Sequence, residues 1–457
     1  MNLLRSRRLN LVIASVAVAA TLLLSQTAQA AAFFVNTPAD GADAVVGDGA
    51  CGDLTNACTL RAAIQEANAL PGADVIELPA GKFALTLPGV DEDAGATGDL
   101  DIAGDLVIHG AGSALTFIDA GAIDRVVDVR AGTATFQGMT MRNGRVVNGG
   151  QTSAGAALRI ADDLHVILDD VVIRDNVMSS SSGGLAIDSG GCIEGQHVRL
   201  LDNGGGPGSD FSQATVYLHG ANACLRLDDS EISGNRANQA GAILSDFGAI
   251  TLRRSLVSAN HGGVGAIVLN FNAPTLLENV TISGNRGGFA GAILNDGGSH
   301  LSLVHCTVTG NGAEEGFTSV VGGIIDVHGG FGLVFLSNTI VSGNGPGSSA
   351  DDCSAAVSVG GGNIIGDSAH CHFDAQPSDQ FDVNPDLAAL ADNGGFTRTQ
   401  LAGAAAVDHA QSPACTSTDQ RGQPRPVDGD GDGVVACDVG AVEMQGDTIF
   451  ANGFDSP

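Results

Sequence analysis

The sequence AITLRRSLVSAN at residues 249–260 is followed by PTLLENVTISGN at 274–285 and by HLSLVHCTVTGN at 300–311. Each copy is a short apolar–polar alternation, a break in parity, a second short alternation and an asparagine. The asparagines are 25 and 26 residues apart, a period far too short for a domain. Working outward, the same ending recurs as MTMRN at Asn143, VIRDN at Asn176, RLLDN at Asn203, EISGN at Asn235 and IVSGN at Asn344, in steps of 25 to 33 residues. The positions ten, eight and three before the asparagine are apolar almost throughout, as with Ile250, Leu252 and Val257, or Leu301, Leu303 and Val308. Alternate residues of a strand face one side, so positions −10 and −8 point inward on one strand and −5 and −3 on the next. The change of parity between them marks a corner.

After each asparagine come glycines and another short strand, such as GAIL at 241–244, GAIVL at 265–269 and GAILND at 291–296. Two or three short strands per turn bury their inner side chains only by stacking on copies of themselves. The expected fold is all-β, a single-stranded right-handed parallel β-helix of roughly nine or ten coils, with like residues superposed about 4.8 Å apart. The asparagine has two readings, a turn residue in left-handed backbone or a rung of a stacked hydrogen-bonding ladder. Both fit this fold. Superposition also speaks about the cysteines. Cys192 and Cys224 each lie eleven residues before their own asparagine on consecutive coils, which predicts a bridge, because stacked Cα atoms fall within disulfide range. Cys306 falls at the inward position −5 and is expected to be the odd, buried thiol of the nine cysteines.

The 457 residues include 66 Gly and 17 Phe but one Tyr and no Trp, so the core is built from small and branched aliphatics. Residues 1–30 carry Arg5, Arg7 and Arg8, an apolar run over 9–24, and Ala28-Gln29-Ala30, the order of a secretory signal cleaved after Ala30. Nothing later is long and greasy enough to span a bilayer. Removing three arginines and no acid takes the net charge from −31 to −34, which excludes a nucleic-acid groove or docking on anionic lipid. Lys82 is the only lysine, which leaves Schiff-base or lysine-base chemistry a single candidate. Nine cysteines in an exported chain imply disulfides.

A stack of coils needs caps at its ends. Before the repeats, Leu60, Ala63, Ile64 and Ala67 make one apolar helical face, and Cys51 and Cys58 are spaced for a local bridge. Cys58-Thr59-Leu60-Arg61-Ala62-Ala63 resembles the CSLREA motif of exported bacterial β-helix proteins, with Ala62 where the family has its acid. Past Asn344 the chain is similar to the choice-of-anchor Q region over 360–443, through Asn393-Gly394-Gly395, Asp419-Gln420-Arg421-Gly422 and Cys437-Asp438-Val439-Gly440 in that order. The resemblance implies an exported architecture and bridges Cys353–Cys371 and Cys415–Cys437, but no assigned activity. The expected organisation is a signal peptide (1–30), a CSLREA-like segment and capping helix (31–72), β-helix repeats (73–346), the choice-of-anchor Q-like region (347–443) and a tail similar to sorting tags (444–457).

Three constellations bear on chemistry. Asp428, Asp430 and Asp432 open like a calcium loop, in which alternate side chains converge on one hard cation. Position twelve, a glutamate in an EF-hand, is Val439, so Asp438 or Glu443 must fold back to serve; a solvated acidic loop is the other reading. His370, Cys371 and His372, with Cys353 and His409, can be drawn as a zinc site, although a disulfide is the simpler use of the sulfurs. Six residues before each asparagine runs an outward corner column in which Asp170 and Asp229 lie two coils apart with His197 between, near the carboxylate spacing of inverting glycosidases. The alternative is a solvated stripe of charges stitching coils together. With few aromatic platforms and no arginine–lysine arrangement beside clustered aspartates, the sequence favours an exported surface or secreted protein. The expectation is a monomer acting in adhesion, recognition or structure, with polysaccharide or a surface protein as partner and no cofactor beyond structural calcium. A polysaccharide-degrading enzyme using Asp170 and Asp229 is the alternative.

Overall fold

The strand Ala249–Arg253 lies in parallel register between Cys224–Asp228 and Pro274–Glu278, which places Leu227, Leu252, Leu277 and Leu303 in one straight file. Beyond the corner, Ile232, Val257, Ile282 and Val308 form a second file. A third strand per coil aligns Ile243, Ile267, Ile293 and Ile324. All these side chains are at most 2 % exposed, so three faces close on one continuous aliphatic core. The chain is a right-handed parallel β-helix. This computed structural model describes residues 30–89, 92–146, 155–178, 182–187, 190–204, 213–314, 321–327, 333–345, 351–412 and 414–445. The signal peptide, most of the tail and much of the Gly- and Ser-rich loops at 179–184 and 203–209 lie outside them.

Among the described residues the first file holds thirteen stacked strands, from Ala32–Phe34 to His372–Phe373, rather than nine or ten. The count from sequence fell short because it followed the asparagine, which the coils at both ends lack. Stacking begins at Ala32 and continues to Phe381, past both expected limits of the repeats. Twelve steps of about 4.8 Å make a rod about 58 Å long.

The asparagines form the ladder, not the turn. Each buried Asn Nδ2 donates to the Oδ1 of the next, from Asn176 through Asn203, Asn235, Asn260, Asn285 and Asn311 to Asn344, at 2.8–3.1 Å. The left-handed residue is the one before, for example Asp175, Asp202 or Ala259. Asp352 closes the ladder by accepting both the N–H and the Nδ2 of Asn344 at 2.8 Å. Asn143 is a correction. Ile173 pairs with Met141 and Arg174 with Arg142, so Asn143 aligns with Asp175 and the rung position belongs to Gly144, whose N–H donates to Asn176 Oδ1. The corner of that coil is accordingly Gly138, at φ 65°, and not Gln137, which stands six residues before Asn143 and is the corner that the sequence count predicts.

The helix Leu60–Ala69 caps the first coils, with Thr59 Oγ1 accepting from Ala62 N. Arg61, 1 % exposed, pairs with Asp40 at 2.6 Å and donates to the carbonyls of Gly95, Gly98 and Asp99. Beside this anchor, Asp101 faces Asp128 in register, with Asp99 next to them, and all three are buried. Burial, and then the charges of Asp99 and Asp128, push Asp101 up to about 7. Burial also takes Asp99 to about 7 against the attraction of Arg125. The folded state therefore holds protons that the unfolded chain releases in the ordinary carboxylate range. The stability they carry is complete at acid pH and is lost as pH rises through about 7. The Asp101→Asn variant should gain about 1–2 kcal/mol over the parent at pH 8 and nothing at pH 4, well below full conversion of the shift because the neighbouring acids titrate together with it. Denaturant midpoints across pH check this; a gain independent of pH defeats it.

Candidate functional site

The corner column is where the sequence placed its chemistry. Asp170, His197, Asp229, Arg254, Asn279, His305 and Asn338 all have φ between 46° and 56°, left-handed backbone that Asn, Asp and His tolerate best. The column is thus first a structural corner. The structure ties its two carboxylates to different partners. Asp170 accepts from Ser113 Oγ at 2.6 Å and from Ser113 N at 3.1 Å. Asp229 meets Arg254 in a two-pronged pair at 2.9 and 2.8 Å. His197 packs its ring 4.8 Å from Phe396 and lies 3.9 Å from Asp169.

Phe396 belongs to a feature the sequence did not disclose, since residues 384–443 run back along the rod over this column. Asn338 exchanges hydrogen bonds with Gln411, Asn279 donates to Thr416 and Thr418, and Thr281 Oγ1 donates to Gln420. Farther back, Arg398 pairs with Glu231 at 3.5 Å, and Arg199 lies over the Phe396 ring at 4.3 Å. Asn279, His305 and Asn338 are left at most 2 % exposed. At the centre, Arg425 and Glu443 form an ion pair at 3.0 Å with both side chains fully buried, and the Arg425 guanidinium donates to His305 Nδ1. Burial and Arg425 pull His305 down to about 3. It is neutral, with Nε2 turned to the Ala414 carbonyl at 3.2 Å. Burial raises Glu443 to about 7 and Asp438 to about 6.

In the acidic loop, Asp428 accepts from Gly431 and Gly433 N–H groups and Asp432 from Val434 N. The carboxylates that converge within 4.8 Å are those of Asp408, Asp428 and Asp430. Asp438 and Glu443 do not fold back to the loop: Asp438 receives Asp408 N and Met444 N, and Glu443 receives Val427 N and Asp438 N. The oxygen set fits a hard cation, with Asp408 in place of Asp432. The zinc drawing is replaced by a disulfide, because Cys353 and Cys371 are bonded to each other and His370 turns to Asp351 at 2.7 Å. Cys51–Cys58, Cys192–Cys224 and Cys415–Cys437 are also bonded. Cys306 is free, and burial pushes its thiol up to about 12, which leaves it inert.

The open face of the rod is the outward side of the first strand file. Ile167, Glu194, Arg226, Thr251, Leu276, Ser302 and Phe335 stand in one row. Two shallow grooves lie along it. One of about 450 Å³ carries Asp169, Glu194, Gln196, Arg226, Asp228 and Arg253, and one of about 320 Å³ is lined by Pro274, Leu276, His300, Leu333 and Phe335. The first groove is lined mainly by charged side chains and the second mainly by apolar ones.

No family model and no curated protein matches the chain. Among solved structures it is similar to the crystal structure of pectate lyase Pel9A, at 13 % identity over 92 % of this chain and 98 % of that chain, with a TM-score of 0.43. A likeness this distant says nothing about activity. Among the described residues no helix is long and apolar enough to cross a membrane.

Proposed function

We propose that the protein is an exported recognition rod, held at the cell exterior or released, whose strand face engages an extracellular polysaccharide or surface protein. The observation that carries this reading is the continuous outward row from Ile167 to Phe335, a rigid surface of mixed polar and apolar side chains. The acids of the corner column, by contrast, are spent on Ser113 and Arg254. Four disulfides suit an oxidising compartment. The signal peptide, the CSLREA and choice-of-anchor Q resemblances and the calcium expectation belong to the same reading. The test is to pass purified protein over immobilised polysaccharides and matrix glycoproteins while assaying for released sugar. Retention without product is expected. Product that disappears in the Asp170→Asn and Asp229→Asn variants would overturn the reading in favour of an enzyme.

A further inference from the structure

Two phenylalanines stand where the fold asks for glycine. The turn after the third strand puts Gly220, Phe247, Phe271 and Gly297 in one file, fixed by bonds from Gly220 N to Asp246 O, Phe247 N to Asn270 O and Asn272 N to Gly297 O. Their φ values are 111°, 75°, 56° and 61°, left-handed at every position. Glycine takes that conformation freely, whereas a bulky side chain is strained in it. Burial does not repay the strain, since Phe247 is 42 % and Phe271 50 % exposed. Strain kept at an exposed position is a mark of use.

The two rings stack on each other, with centroids 5.0 Å apart and planes 21° apart. The stack ends abruptly. Gly297 and Gly298 leave the outer face of Phe271 without a side chain above it, and a Cβ at Gly297 would collide with the Phe271 backbone. Gly220, in register on the other side of Phe247, likewise carries no side chain. Fixed polar groups rim this ledge. The Asp246 carboxylate is held between Tyr217 OH at 2.8 Å and Asn270 Nδ2 at 2.9 Å, and His219 Nδ1 lies 3.1 Å from Tyr217 OH. A flat apolar face bordered by oriented donors and acceptors matches a sugar ring, which offers C–H groups on its face and hydroxyls at its edge. A carboxylate at the rim of a strongly acidic chain selects against an acidic glycan.

We propose that the Phe247–Phe271 ledge is a binding subsite for an uncharged glycan chain, a proposal that deepens the recognition reading and rests on it. The test compares the parent with the Phe247→Gly/Phe271→Gly variant by affinity electrophoresis through hydroxyethylcellulose, xylan, galactomannan and polygalacturonate. The neighbouring coils already use glycine, so the melting temperature should hold or rise. Retention on at least one neutral glycan should weaken by about tenfold or more. Unchanged retention, retention on polygalacturonate alone, or none on any glycan overturns the subsite. Binding to matrix glycoprotein that the variant keeps would do so while leaving the recognition reading intact. Should the glycine pair melt early, the Phe247→Leu/Phe271→Leu pair decides: stability restored without retention supports the ledge, and both restored overturns it.

Discussion

Replacing Asn260 with alanine should cost the rod about 3–5 kcal/mol, a large share of what holds a protein folded. Asn260 sits mid-ladder at 0 % exposure. Its Oδ1 accepts both the N–H and the Nδ2 of Asn235, at 3.1 and 2.9 Å, and its Nδ2 donates to Asn285 Oδ1 and to the Ile232 carbonyl, at 3.0 and 2.8 Å. Truncation therefore orphans the Asn235 N–H and one hydrogen of its Nδ2, which keeps only the Leu200 carbonyl, and takes one donor each from Asn285 Oδ1 and the Ile232 carbonyl, all where no water enters. Each unmet group costs about 1–3 kcal/mol, partly recovered if the coil relaxes. Asn260→Asp keeps the acceptor and loses both donors, so it should cost nearly as much. An aspartate is tolerated only where nothing above needs a donor, which is where Asp352 ends the ladder. Urea midpoints measure both variants; an Asn260→Ala loss under about 1 kcal/mol would reduce the ladder to decoration.

What the sequence disclosed follows from what repeats. Leu252, Leu277 and Leu303 touch in file because every coil must bury the same face, and Cys192 meets Cys224 because stacking superposes equal offsets. Where a single residue is gained or lost, the arithmetic slips. Asn143 looked like a rung only because its ending resembles the others, whereas pairing of the strand Thr133–Arg142 with its neighbour puts Gly144 in that place. Contacts made once have no period to reveal them. Arg425 meets His305 across 120 residues, and Phe396 finds His197 on a coil nearly 200 residues earlier. The corner column was correctly singled out as a file of polar residues, but its left-handed backbone explains that composition without catalysis. Nor could the sequence show that half of the file is roofed by the C-terminal region. The Phe247–Phe271 pair was visible as two scattered aromatics; only the stacking of turns makes them one surface.

The roof itself should come off when Arg425 is changed. In Arg425→Met the long apolar stem is kept and the guanidinium removed, so the fully buried Glu443 carboxylate loses its ion pair, the Gly440 carbonyl its donor, and His305 Nδ1 its partner. An uncompensated buried charge costs about 3–5 kcal/mol. That cost falls on a docked segment with little core of its own, around Ile340, Ile364, Ala406 and Val439, rather than on the rod. The expected result is rapid cleavage by a broad-specificity protease within 384–443, with fragments 32–381 surviving, as seen by mass spectrometry after reduction of Cys415–Cys437. Adding Glu443→Leu removes the stranded charge but leaves Val427 N and Asp438 N without their acceptor, so it should recover only part of the loss. Since burial already holds Glu443 near 7, the single variant should be least damaged at pH 5, where the carboxyl takes up a proton, and most at pH 8. Protease resistance equal to the parent at pH 8 would mean that the region is held by its backbone contacts along the column, and that Arg425 is a passenger.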